Sequence, residues 1–144
     1  MDVTKLQKRG ACNDAVKWAR SQKSAQSAWD TCKRGDWMLW LLGKLAGKPG
    51  EAKRRKLVLA ACSCARLSLP HVSAGEMRPL KAIETAEAWA RCASNVSIED
   101  VHAAADAAYA AAAAYAAYAA DARTTILARC AALVRQHYPK APRI

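Results

Sequence analysis

Phenylalanine is absent from this 144-residue chain, and acid is scarce: 12 Asp and Glu stand against 23 Lys and Arg. Glycine and proline number only 6 and 5. Strict apolar–polar alternation is almost missing, which argues against half-buried β-strands. No Gly-rich phosphate loop, G-x-S-x-G elbow or H-E-x-x-H pair occurs, so nucleotide-loop, α/β-hydrolase and zincin chemistry lose their usual signatures. The longest alanine-rich stretch, residues 103–122, contains Asp106 and Asp121 and three tyrosines, and so does not read as a membrane span. Intrinsic disorder is disfavoured by five tryptophans, patterned leucines and the low Gly and Pro counts.

The hydrophobic fraction is 53%, but 35 of these residues are alanine. Another 35 are Val, Ile, Leu, Met, Trp or Tyr. The length suits one domain with a modest core of larger side chains. Net charge is +11, and it is unevenly placed: residues 1–56 hold 14 basic and 5 acidic residues. A basic N-terminal third attracts an acidic protein surface, a nucleic acid or an anionic membrane.

Six cysteines stand at 12, 32, 62, 64, 92 and 130, with histidines at 71, 102 and 137. Neither a C-x-x-C nor a His-x-x-x-His spacing appears, and Cys62 and Cys64 face different neighbours on a helix. The expectation is no metal and no cofactor, with thiols packed as small apolar groups in a reducing cytoplasm. Met1–Lys5 leads into a charged segment and does not read as a signal peptide.

Apolar residues recur at helical spacing nearly everywhere. Helices are expected over residues 12–20 and 24–31, the second capped by Ser24 and stopped by Gly35 as a left-handed residue. Asp36 is expected to cap the next helix, which carries Trp37, Met38, Trp40, Leu41, Leu42 and Leu45 before the Gly47–Gly50 loop. Residues 51–69 form a helix that is apolar all round from Leu57 and belongs at the centre of a bundle, with Pro70 as its stop. Pro79 opens a helix to Cys92 that turns Leu80, Ile83, Ala86, Trp89 and Ala90 inward. Ser97–Asp100 resembles a capping box. From there to Tyr138 neither Gly nor Pro occurs, and residues 103–122 include 15 alanines, the strongest helix former. One helix over residues 98–138 would be about 60 Å long, against a domain diameter of roughly 40 Å. It therefore protrudes as one continuous helix, the reading favoured here, or bends or breaks near residues 121–125, where Asp or Thr can cap a new helix.

The expected architecture is all-α: a single-domain bundle of about six helices over residues 1–144. Basic, Trp-bearing helices fill 1–47, central helices 51–92 and the alanine-rich helix 97–138. No catalytic residues are expected. His102, Asp106 and Tyr109 share a helix face and form an acid–base relay on paper, but polar residues on an alanine helix are more simply its wet side. Two surface features stand out for partner binding. Arg34, Asp36 and Trp37 put charge beside an indole at a turn, the residue types that anchor interfaces. Lys53, Arg54, Arg55 and Lys56 form a compact cluster at a helix start, able to hold acidic groups or phosphates. A basic helix start opposes its own dipole, which implies an external reason for it. Charge reversal across residues 53–56 is expected to weaken partner binding and leave folding intact.

Several segments carry a resemblance. Ala28–Asp30, Arg34–Leu42 and Arg54–Cys62 resemble a small family of immunity proteins of bacteria and phages. Gly75–Glu84 and Ala86–Ala90 are similar to its second block, and the Ala/Tyr/Asp tract with Arg135–Pro139 to its C-terminal part. The resemblance implies a cytoplasmic protein that binds and neutralises a toxin without catalysis of its own. Occurrence of the family in phages also implies a counter-defence role, such as an anti-CRISPR that binds a host effector. It carries over no functional residues. With a charge of +11, the implied partner presents an acidic surface, or the contact avoids the basic third. The basic surface can also serve nucleic-acid binding. No membrane association is expected, and the oligomeric state stays open.

Overall fold

The computed structural model describes residues 3–103 and 120–144, with side chains of residues 120–122 left aside. Five helices precede the first long loop: α1 (Thr4–Lys8), α2 (Asn13–Arg20), α3 (Ala25–Thr31), α4 (Gly35–Leu45) and α5 (Ala52–Arg66). A 3-10 turn at Leu69–His71 leads to α6 (Arg78–Ala90). Helix α7 begins at residue 98 and is described to residue 103, and α8 covers Ala120–His137. Among the described residues there is no strand, and the fold is all-α.

Local signals in the sequence act where they stand. The Ser27 amide donates to Ser24 Oγ at 3.0 Å, capping α3. At α7 the Asp100 amide donates to Ser97 Oγ at 3.1 Å, while the Ser97 amide donates to Asp100 at 2.8 Å. That reciprocal pair is a capping box, with Asp in place of Glu. Pro79 lies in the first turn of α6. The other end of α6 carries a surprise: Cys92 takes φ +64°, the left-handed position usually given to glycine. The Ala93 and Cys92 amides then donate to Ala88 and Trp89 carbonyls, both at 3.0 Å, and close the helix.

Gly35 departs from expectation. It does not stop α3 in a left-handed conformation; it is the first residue of α4 and is buried. A Cβ there would collide with Cys130 and lie 2.7 Å from the Ala131 backbone nitrogen. Glycine at this position lets α4 cross α8 at backbone distance. Asp36 consequently sits inside the first turn of α4, and its side chain pairs with Arg34 instead of capping the helix end. Helix α5 stops at Arg66, before Pro70, which instead belongs to the 3-10 turn.

Helix α5 is the central element. It packs against α6, α8 and α4, and α4 also packs against α8. Ala60 of α5 and Ala131 and Val134 of α8 are wholly buried. Small side chains there permit close helix approach without large residues. The main cluster joins Trp29, Met38, Leu42, Leu57, Cys64, Cys130, Ala131 and Val134. A separate cluster of Val3, Leu6, Val16 and Ala19 closes the N-terminal helices. Outside these cores, Arg66 Nε and Nη2 clamp Glu87 of α6 at 2.8 and 2.9 Å. That bond, ahead of Arg91, holds the Glu87 carboxyl below its ordinary range.

The alternative of a break near residues 121–125 is not realised, because α8 runs through them to His137. Arg123, Thr124 and Thr125 are exposed, so nothing buried competes with the helical backbone there. One helix through the alanines is an expectation that falls on residues 104–119, with Asp106, Tyr109, Tyr115 and Tyr118, outside the described residues.

Candidate functional site

The short link from α3 to α4 builds a preformed corner. Arg34 Nε donates to Asp36 Oδ1 at 2.8 Å and Nη2 to Oδ2 at 2.6 Å, a bidentate pair two residues apart. The guanidinium carbon also lies 4.3 Å from the centre of the Trp37 ring. Trp37 in turn leans on Trp18 of α2, with centroids 6.0 Å apart and planes at 54°. The arginine bond is the main reason the Asp36 carboxyl is held below its usual range, and Asp36 in turn raises Arg34. Both charged side chains remain partly open, at 39% and 38% exposure. Arg34, Asp36 and Trp37 are thus brought together as one half-open unit.

This unit stands on the wall of a half-open cleft of about 450 Å³. Helices α1 to α4 form most of the wall, with Trp18, Trp29, Trp37 and Trp40 contributing indoles. The remaining side is the C-terminal segment, through Ala141, Pro142 and Ile144. That segment is tied down at three places. Trp29 Nε1 donates to the Tyr138 carbonyl at 2.7 Å, the Ala141 amide to Gln26 at 2.9 Å, and Lys5 Nζ to the Ile144 oxygen at 2.8 Å. The cleft lies between the two apolar clusters, and Trp18 and Leu41 pack on both. Sequence reading missed it, since it is assembled from both ends of the chain.

The basic cluster lies elsewhere and is largely occupied. Arg54 Nη2 donates to the Gly47 carbonyl at 2.6 Å and to Gly43 at 3.3 Å, satisfying the last turn of α4 and its exit. Arg55 Nη1 donates to the Trp89 carbonyl at 2.6 Å near the end of α6, and its guanidinium lies 4.8 Å from the Trp89 ring centre. Lys56 Nζ lies 4.7 Å from the centre of the Tyr138 ring. The unfavourable basic start of α5 therefore has an internal reason: its cations meet the negative ends of α4 and α6. The expectation that reversing all four charges leaves folding intact is corrected by these contacts. Lys53 alone in the cluster makes no such bond among the described residues, and it is exposed.

The other reactive types are structural in setting. Burial pushes the Cys62 thiol up to about 11 and Cys64 to about 12, and also raises Cys32 and Cys130. These thiols stay protonated and poorly nucleophilic at neutral pH. Ser63 Oγ lies 3.2 Å from His137 Nε2, but it also lies 3.0 Å from the Leu59 carbonyl within its own helix. His102 is exposed, and its proposed relay partners lie outside the described residues. Among the described residues no cluster of His, Cys, Asp or Glu suits a metal ion, and no helix is long and apolar enough to cross a membrane. No family model matches the chain, and no curated protein or solved structure gives a significant match to it.

Proposed function

We propose that this chain is a non-catalytic, cytoplasmic binding protein of immunity type, which neutralises an acidic-surfaced protein partner by stoichiometric contact. The partner class is a toxin, or a host defence effector in the counter-defence version of the same reading. The observation that carries it is the Arg34–Asp36–Trp37 corner. Arginine and tryptophan dominate interface hot spots, and here both are held in place before any partner arrives. Fixing the rotamers beforehand lowers the entropy lost on association. The surrounding residues 3–34 hold eight basic and two acidic residues, so long-range attraction selects acidic surfaces. Nucleic-acid binding is the weaker reading, since Arg54, Arg55 and Lys56 already serve neighbouring elements.

The test is affinity capture from host lysate with the wild-type chain and Arg34→Gln, then calorimetry with the captured protein. One-to-one binding to an acidic protein, weakened at least tenfold by Arg34→Gln, is the expected outcome. Equal capture by both chains removes the corner from the interface. Tight binding of a generic DNA duplex that falls steeply with salt transfers the function to nucleic acid.

A further inference from the structure

We propose that the tryptophan-lined cleft is a binding site for a small amphiphilic carboxylate, its apolar part among the indoles and its carboxylate on Arg34. The inference shares Arg34 and Trp37 with the partner reading above, but it rests on the shape and charge of the cleft and not on that reading. Protein interiors are close-packed and leave few voids larger than a water molecule. A half-open space of about 450 Å³ lies within the range of small-molecule sites, which are mostly apolar with a few orienting polar groups. Its volume exceeds what one partner side chain fills. Its C-terminal wall is tied to α1 by Lys5 and to α3 by Gln26, and an apolar cluster lies on either side of it.

The ionisable side chains on the wall are Cys12, Cys32, Arg34 and Asp36, and burial keeps the Cys32 thiol protonated. Asp36 occupies Nε and Nη2 of Arg34, leaving Nη1 without a hydrogen bond among the described residues. One donor nitrogen beside an ionised aspartate suits a monoanion and disfavours a doubly charged headgroup. The basic excess of α1 to α3 sets the same sign at longer range, favouring an anion over a cation. An amphiphile with one carboxylate meets all of these conditions.

Decanoate, below its aggregation concentration, is the probe. Four of the five tryptophans line the cleft, so intrinsic emission reports occupancy directly, with calorimetry for stoichiometry. Decylammonium and decyl phosphate are the comparison ligands. Decanoate is expected to bind saturably at one-to-one and at least tenfold tighter than either. Ala15→Leu fills the cleft from α2 and is expected to weaken decanoate tenfold or more. Ala25→Met repeats the test from α3, at an exposed lining position. Arg34→Gln is expected to reduce the preference for decanoate over decylammonium to less than threefold. Absence of saturable binding overturns the site. Undiminished affinity in both filling variants does the same, and equal affinity for the cation overturns the assigned charge.

Discussion

Gly35 illustrates how one residue supports two readings. A glycine after Lys33–Arg34, following a short helix, has the local context of a left-handed helix stop. Its structural use is steric: α8 passes so close that a methyl group meets Cys130 and the Ala131 backbone. Gly35→Ala is therefore expected to destabilise the fold by about 1–3 kcal/mol through overpacking. Urea unfolding checks this, and an unchanged midpoint would mean that the two helices stand further apart. The signal that separates the readings lies 95 positions away in sequence, so no local pattern carries it. Cys92 makes the converse point: a residue with no glycine-like signal accepts φ +64° because two amide bonds close α6 there. Arg34, Asp36 and Trp37 were legible as candidates because they are neighbours in sequence. Their stacking and pairing were not.

Helices in this protein are finished by residues of other helices. Arg54 and Arg55 of α5 serve the ends of α4 and α6. Arg135 of α8 donates to the Cys32 carbonyl at 2.8 Å and the Trp29 carbonyl at 3.2 Å, closing α3. Each pairs a guanidinium with orphan carbonyls at a negative helix end. Losing such a bond from a partly buried site costs about 1.5–3 kcal/mol for a charged donor. Arg55→Gln is expected to lose that much, whereas exposed Lys53→Glu should stay within about 0.5 kcal/mol. Paired thermal or urea denaturation tests the contrast, and equal costs would undo the division of labour within the cluster. Starts of helices were readable, as at Ser24, Pro79 and Ser97, because capping residues lie within four positions of what they cap. Closures supplied from another helix were not.

At the scale of the molecule, two apolar clusters share Trp18 and Leu41 and leave the cleft between them. The main one draws on α3, α4, α5 and α8, while the N-terminal one has four small or medium buried side chains. Local opening is easiest where few apolar contacts must be lost. Amide hydrogens of α1 and α2 are thus expected to exchange at least tenfold faster than those of α5 around Ala60. Native-state hydrogen exchange measures this, and equal protection would make the two clusters one cooperative unit.

The amino-acid sequence by itself determined the all-α class and the centrality of the 57–69 region, of which the helix takes up residues 57–66. Helical periodicity, the shortage of Gly and Pro and the apolar circumference of α5 are local properties of the chain. It also determined the sign of the charge and its concentration in the first third. Only the tertiary structure decided which of those charges pair within the fold. Placing α5 beside the ends of α4 and α6 engages Arg54 and Arg55 with their carbonyls, while the Arg34 corner stays half open. The cleft likewise exists only because the C-terminal segment returns to α1 and α3. Contacts between residues more than a hundred positions apart leave no periodic trace in sequence, and this protein's distinguishing surface is made from them.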